Sequence, residues 1–350
     1  MDLKIWMDKR VLVTGHTGFK GAWLTCTLEA LGAKVSGFSL PPHLAPNLYS
    51  DAKIFKFLEG EILGDIRDYK LVEKVFKQFQ PDYVFHLAAQ SLVIESYLKP
   101  LETISTNILG SANIIDVALR SGQVSGLLNI TTDKVYENNQ SGKFHKETDP
   151  LGGDDIYSAS KASSELITRA MKVAVAKEGF HLHSARAGNV IGGGDWSVNR
   201  LIPDAIRAIQ SKKSLVLRNS LATRPWQHVL DCLYGYILIA ENALTPTPKP
   251  LNLAYNFGPP ESLSVMEVLT LLQKELGLKL EIQEEIPQYL EKSSLNIDST
   301  LAREDLGWKA RMTSEESVLN TAKWYKSFLD GKDANYLVTE EINSFLSGGK

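Results

Sequence analysis

Cysteine is almost missing from this chain: Cys26 and Cys232 are the only two among 350 residues. They form no metal-ligand pattern, so no metal is expected, and a reduced, cytoplasmic protein is the simplest reading. An excess of one charge is missing too. Thirty-eight Lys and Arg stand against 41 Asp and Glu, for a net charge of -3. No basic field therefore advertises nucleic acid or a membrane surface. No apolar run approaches a membrane span, and the first residues, MDLKIWMDKR, are too short and too charged for a secretory signal. Repeats and low-complexity tracts are absent as well. What remains is ordinary for a globular protein, 43% hydrophobic and 23% charged, with length for one large domain or two smaller ones sharing an interface.

The first half alternates short apolar runs with stretches of helical period. RVLVT, AKVSGF, YVFHLA and GLLNIT are four such runs, another strand-like segment ends at Asp65 in GDIRD, and HLHSARAGNV from His181 reads as a sixth strand running into a loop. Strands buried on both faces read as continuous apolar runs, which predicts an α/β fold, a doubly wound parallel sheet with helices on both sides. Helices after Phe19, Asp68, Pro100 and Tyr157 supply the crossovers. Pro41-Pro42 breaks regular structure after the second strand. Beyond Ala187 the segments shorten and Gly and Pro become denser, as in GGGD at 192–195. AYNFG reads as another strand, and SVMEVLTLLQKELG and SEESVLNTAKWYKSFL as amphipathic helices. The expected organisation is a nucleotide-binding layer over 1–187 and a smaller mixed α/β substrate layer over 188–350. The chain is expected to return to the first around 228–257.

The first strand ends in TGHTGFKGAW, with Gly15, Gly18 and Gly21 three apart. Strand, glycine turn and helix together give this spacing its meaning. Gly15 suits the tight turn, Gly18 a close approach of backbone N–H groups to a pyrophosphate, and Gly21 close packing of helix on sheet. A dinucleotide follows. The second strand ends near Ser39, with no acid for the ribose hydroxyls and no arginine for a 2′-phosphate, which favours NAD over NADP. Asp65, in GDIRD, is a candidate partner of the adenine amino group, or a helix cap before DYKLVEKVF.

Tyr157 and Lys161, in YSASKASSEL, lie four apart and share a helix face. A phenol is a poor base near neutrality, and a neighbouring ammonium favours the phenolate. Thr132, at the end of the fourth of those runs, is placed to hold a substrate alcohol. His181 and His183 share one strand face, but with no third ligand at useful spacing they read as ordinary strand histidines. GGGDW at 192–196 reads as a flexible loop over the substrate. Trp196 and Trp226 either stack a base or fill core.

These motifs together resemble a known family, the extended short-chain dehydrogenase/reductases that act on nucleotide sugars. TGHTGFKG, HLAAQ, TNILG, ITTDKVY, YSASK and ARAGNVIGGGDW all fit it. GHTGFKGAWL, DPLGGDDIYSASKASSEL, RLIPDAIRAI and ATRPWQHVLD resemble its CDP-hexose dehydratase branch, and the likeness runs through LNIDSTLAREDLGW. It implies a Rossmann domain with a C-terminal substrate domain, bound NAD, and a lyase acting on CDP-D-glucose in deoxysugar synthesis for lipopolysaccharide O-antigen. A homodimer or homotetramer, built through a four-helix bundle from two chains, is also implied. Tyr157 would take the C4 hydroxyl proton with Lys161 and Thr132 in support, and Asp133 would protonate the departing C6 hydroxyl. In related dTDP-glucose dehydratases a glutamate follows that aspartate and removes the C5 proton. Here Lys134 replaces it, either as a base, which requires a depressed pKa, or as a cation stabilising the enolate.

Carried over residue by residue, the cofactor would touch Gly15, Thr17, Gly18, Phe19, Lys20, Gly21, Ser39, Asp65, Ile66, Leu87, Ala88, Ala89, Asn107, Tyr157, Lys161, Ala187 and Val190. Substrate would touch Gln90, Ser91, Thr132, Asn189, Arg200, Leu201, Arg218 and Arg224. Two rival readings share the scaffold. A nucleotide-sugar 4-epimerase or dehydrogenase would need no acid after the threonine. A non-catalytic NAD-sensing protein often loses the Tyr/Lys pair that is intact here.

Overall fold

The computed structural model describes residues 2–42, 45–137, 143–175, 179–217, 219–285 and 295–348. Its centre is a seven-stranded parallel sheet. The strands are β1 (Arg10–Thr14), β2 (Lys34–Ser39), β3 (Gly60–Leu63), β4 (Tyr83–His86), β5 (Gly126–Ile130), β6 (His181–Ala187) and β7 (Ala254–Phe257). Across the sheet they run β7-β6-β5-β4-β1-β2-β3. The continuous apolar runs form these strands because both faces are covered: β4, β5 and β7 are buried at every position.

Helices α1 (Phe19–Ala30), α2 (Tyr69–Phe79), α3 (Ser111–Ser121) and α4 (Ile156–Ala174) make crossovers. Later come α5 (Leu201–Ser211), α6 (Val229–Leu244), α7 (Val265–Leu276), α8 (Ser314–Leu329) and α9 (Ala334–Leu346). α1 is buried continuously from Gly21 to Leu28, so its sequence shows little amphipathic contrast. α2 is amphipathic and sets Val72, Val75 and Phe76 against Leu12, Phe38 and Val84 of the sheet. Asp68, not Asp65, caps α2, accepting the Leu71 N–H. α7 and α8 each begin with a reciprocal capping box, Ser264 with Glu267 and Thr313 with Glu316.

Strand order reverses between β1, which leads to β2 and β3, and β4, which leads to β5. Open α/β sheets bind ligands in the crevice beyond the carboxyl ends of strands at such a switch. The glycine turn after β1 and Leu87–Ala89 after β4 meet there. Among the described residues no helix is long and apolar enough to cross a membrane, and no group of three or more His, Cys, Asp or Glu could hold a metal ion. His181 and His183 stack on each other, and the His183 ring bonds the Asn252 carbonyl at 2.7 Å.

Candidate active site

The turn after β1 exists because two of its positions have no side chain. Gly15 has φ +79°, and a Cβ there would lie 2.7 Å from the Ala88 nitrogen. A Cβ on Gly21 would lie 2.1 Å from the Gly15 carbonyl oxygen. Gly18 is the N-cap of α1 and brings no side-chain acceptor, so the first N–H groups of that helix are available to an anion. This cradle fits the pyrophosphate of a dinucleotide. Phe19 packs beside Gly192, and Lys20 turns inward to donate to the Tyr236 hydroxyl at 3.3 Å. Burial, with help from nearby Arg200, holds the Lys20 ammonium below the usual lysine range.

On the ribose side, Ser39 Oγ lies 2.8 Å from Thr17 Oγ1, which also donates to the Leu40 carbonyl. An acid does enter this region, from the next strand. Glu61 of β3 meets the His16 ring at 2.5 Å and accepts from Tyr49 at 2.7 Å. Reading only the end of β2 misses it, because Glu61 sits opposite Gly37, a register no local motif announces. Asp65 is gripped by Arg67, whose Nε donates to both carboxylate oxygens at 3.0 and 2.9 Å. Ile66 is buried against Gly110, while Leu87, Ala88 and Ala89 are half-buried beside the turn.

β5 ends by delivering Thr132 and Asp133 into the interior, 6% and 1% exposed. The Thr132 hydroxyl donates to Asp133 Oδ1 at 3.0 Å and lies near enough to the Tyr157 phenol to favour its ionised form. Asp133 Oδ2 is buried with no hydrogen-bond partner. A Cβ on Gly188 would fall 1.8 Å from that oxygen, so the carboxylate lies directly on the Gly188 backbone. Lys134 is half-buried, and its ammonium makes no hydrogen bond or ion pair among the described residues. Tyr157 enters on the first turn of α4, which Asp155 caps.

One expectation is reversed. Burial lifts the Tyr157 phenol to about 12, against the pull of Thr132 and Arg200. The Lys161 Nζ donates to the Ile130 carbonyl at 3.1 Å. Burial, with Lys20 adding repulsion, brings the Lys161 ammonium down to about 8. Desolvation outweighs the lysine's influence on the phenol in this arrangement.

Ala187 and Val190 are buried beside this centre. Asn189 adopts φ +49°, and its amide nitrogen is buried without a partner. Arg200, just before α5 and half-buried Leu201, donates to Asp195 Oδ2 at 3.1 Å. Its positive charge favours the Tyr157 phenolate and disfavours the Lys20 ammonium. Arg224 donates to its neighbour's carbonyl, Thr223 O, at 2.8 Å. Arg218 lies outside the described residues. The Gln90 side chain bonds Leu92 at both its oxygen and its nitrogen, and also Thr103, while Ser91 is exposed. Asn107, in a π-helical turn, joins Gln90 to Ser160 of α4.

GGGDW is not a flexible cover. Residues 191–196 are all buried, and Gly193 lies where any Cβ would strike the Trp324 indole at 2.0 Å. Asp195 sits beneath Tyr325, whose hydroxyl donates to its carbonyl. Trp196 packs on Tyr325 and Phe328, and Trp226 donates to the Leu263 carbonyl, so both indoles fill core.

The GDP-mannose 4,6 dehydratase family profile matches residues 12–321. A CDP-glucose 4,6-dehydratase of Salmonella typhimurium is 37% identical over 99% of both chains. A dTDP-D-glucose 4,6-dehydratase of Mus musculus is 25% identical over 93% of this chain and 91% of its own. Among solved structures, a UDP-glucose 4-epimerase of Thermus thermophilus in complex with NAD superposes with a TM-score of 0.78. It is 24% identical, covering 91% of this chain and 99% of that one. The dTDP-glucose 4,6-dehydratase DesIV of Streptomyces venezuelae, with NAD bound, also gives 0.78, at 23% identity over 91% and 97%. These neighbours share the Rossmann-type sheet described above. With a family match spanning most of its length and a relative matched end to end, this chain belongs to the GDP-mannose 4,6 dehydratase family.

Proposed function

We propose that this chain is an NAD-dependent lyase converting CDP-D-glucose to CDP-4-dehydro-6-deoxy-D-glucose and water. The observation that carries the reading is Asp133: a buried carboxylate beside Tyr157, with one oxygen left unpartnered. An oxidation or epimerisation at C4 has no use for that acid, whereas loss of a C6 hydroxyl needs a proton donor. The relative matched over its whole length is named for this reaction.

NAD, when bound, supplies an acceptor for the C4 hydride and returns the same hydride to C6, so the reaction needs no second substrate. Gly15, Gly18, Gly21 and the start of α1 would hold its pyrophosphate, with Thr17, Ser39 and Asp65 toward the adenosine. Tyr157 takes the C4 hydroxyl proton as its phenolate, a form that the positive nicotinamide ring of bound NAD would favour, with Thr132 beside it. Lys161 holds the helix start against β5 through Ile130. The C4 ketone acidifies the C5 hydrogen, and Asp133 protonates the leaving C6 hydroxyl. Lys134 either removes the C5 proton or, as a cation, stabilises the resulting enolate while Tyr157 or water moves that proton, and a proton is restored at C5 when the hydride reaches C6. Asn189, Arg200 and Arg224 offer donors for the diphosphate, in a substrate layer formed mainly by residues 188–350. Leu98, Leu101, Leu109, Leu166 and Val173 are exposed on the helices around 93–110 and 156–174, the surface proposed to pair with a second copy.

The test is turnover of CDP-, dTDP-, GDP- and UDP-glucose side by side, with deuterium at C4. CDP-glucose should react fastest and carry the label to C6. A 4-epimer, or label lost from the product, would overturn the reading. In Lys134→Met, retained exchange of the C5 hydrogen with solvent would remove Lys134 from the base role.

A further inference from the structure

The segment bearing Thr132, Asp133 and Lys134 is fastened at both ends to one buried ion pair. At its start, Thr131 donates from Oγ1 to Glu165 Oε1 at 2.5 Å. At its end, the Tyr136 hydroxyl accepts from Arg186 Nη1 at 2.9 Å, with the guanidinium 5.0 Å from the ring centroid. Glu165 and Arg186 grip each other twofold, Nε to Oε1 and Nη2 to Oε2, both at 3.0 Å, and they are 1% and 3% exposed. Arg186 also donates to the Glu147 carbonyl at 3.2 Å, and the Tyr136 hydroxyl donates to Asn256 Oδ1 at 2.6 Å. Glu165 follows Lys161 by one turn on α4, so the same pair ties the helix of Tyr157 and Lys161 to the end of β5.

A two-point arginine–carboxylate contact has one good geometry, and in a dry interior neither partner can leave without stranding a charge. Fixing Thr131 and Tyr136 leaves only residues 132–135 between the anchors. We propose that Glu165 and Arg186, acting through Thr131 and Tyr136, are positioning residues that hold the candidate acid Asp133 and its neighbours in register with Tyr157. The inference rests on the dehydratase reading for what is being positioned.

Thr131→Val and Tyr136→Phe each remove one hydroxyl at nearly constant shape. Each should lower kcat for dehydration on the order of tenfold to a hundredfold while KM for CDP-glucose stays within about twofold. Thr131→Ser, which keeps the donor, should recover most of the rate. In the free protein, hydrogen–deuterium exchange across 130–137 should be faster in Thr131→Val and Tyr136→Phe than in the wild type. Wild-type kcat in both variants, or unchanged exchange, overturns the proposal, as does a rate loss that only follows the unfolded fraction and is not recovered by serine. Faster exchange in a protein whose wild type ignores CDP-glucose would sink the dehydratase reading and leave the clamp standing.

Discussion

Among single residues, Gly188 is the most informative. Its backbone lies outside the left-handed region, so glycine is not needed there for conformation. It is needed because the Asp133 carboxylate occupies the space of its side chain. Gly188→Ala should therefore fold and still bind nucleotide sugar, but push the acid out of line. Its kcat should fall on the order of a hundredfold with little change in KM, checked by steady-state kinetics beside a thermal melt. An alanine enzyme of full activity would mean that Asp133 moves freely or does nothing. Tyr157, Lys161 and the three glycines were legible in sequence because each motif is local and its geometry is set by helix or turn spacing. Glu165, Arg186 and Tyr136 were not legible. They meet across separations of 21 and 50 residues, and no local pattern marks two charges for pairing inside a core. GGGDW misled for the same reason, since the indole that fills it, Trp324, arrives from a distant helix.

Among elements, the strands of the sheet centre were read from continuous apolar runs, whereas the half-buried edge strand β3 was only a strand-like segment ending near Asp65. The strand interiors carry a pH dependence the sequence did not show. His86 on β4 and His183 on β6 are buried, and burial brings both imidazoles down to about 3. His86 is held between the Thr14 and Ser111 hydroxyls at 2.7 and 3.0 Å. In the unfolded chain each would take up a proton near pH 6.5, whereas in the fold each stays neutral to far lower pH. Their stabilising contribution is thus whole above about pH 6.5 and is lost as pH falls toward 3, by about 1.4 kcal/mol per pH unit for each group. Urea unfolding between roughly pH 6.5 and pH 4 should show this slope, and His183→Gln should reduce it by about one proton. An equal slope in the variant would remove His183 from the account.

At the scale of the whole molecule, the exposed apolar side chains are unevenly spread. Leu98 and Leu101 on the short helices Val93–Leu98 and Pro100–Ile104, with Leu166 and Val173 seven residues apart on α4, lie on elements that pack together. On the proposed pairing and the proposed activity, Leu101→Glu with Leu166→Glu should convert the oligomer to monomer in sedimentation at micromolar concentration, with CDP-glucose turnover per chain retained. A variant that sediments as the wild type would place the contact elsewhere. The doubly wound architecture was legible because alternation of strand and helix constrains topology strongly. Pairing of two copies was implied only by the family resemblance, since exposure of a leucine is a property of the finished surface.

The strand order has a consequence for synthesis. β7 docks on β6, yet residues 188–253 must be made between them. At about 5–20 residues per second, a ribosome needs on the order of 3–13 s for that stretch. During that interval the outer rim of β6, His181 to Ala187, has no neighbour and exposes a row of backbone donors and acceptors to other nascent chains. That open rim belongs to the middle of translation, while residues 188–253 are being made, and a chaperone shielding it in that interval should raise the yield of folded protein.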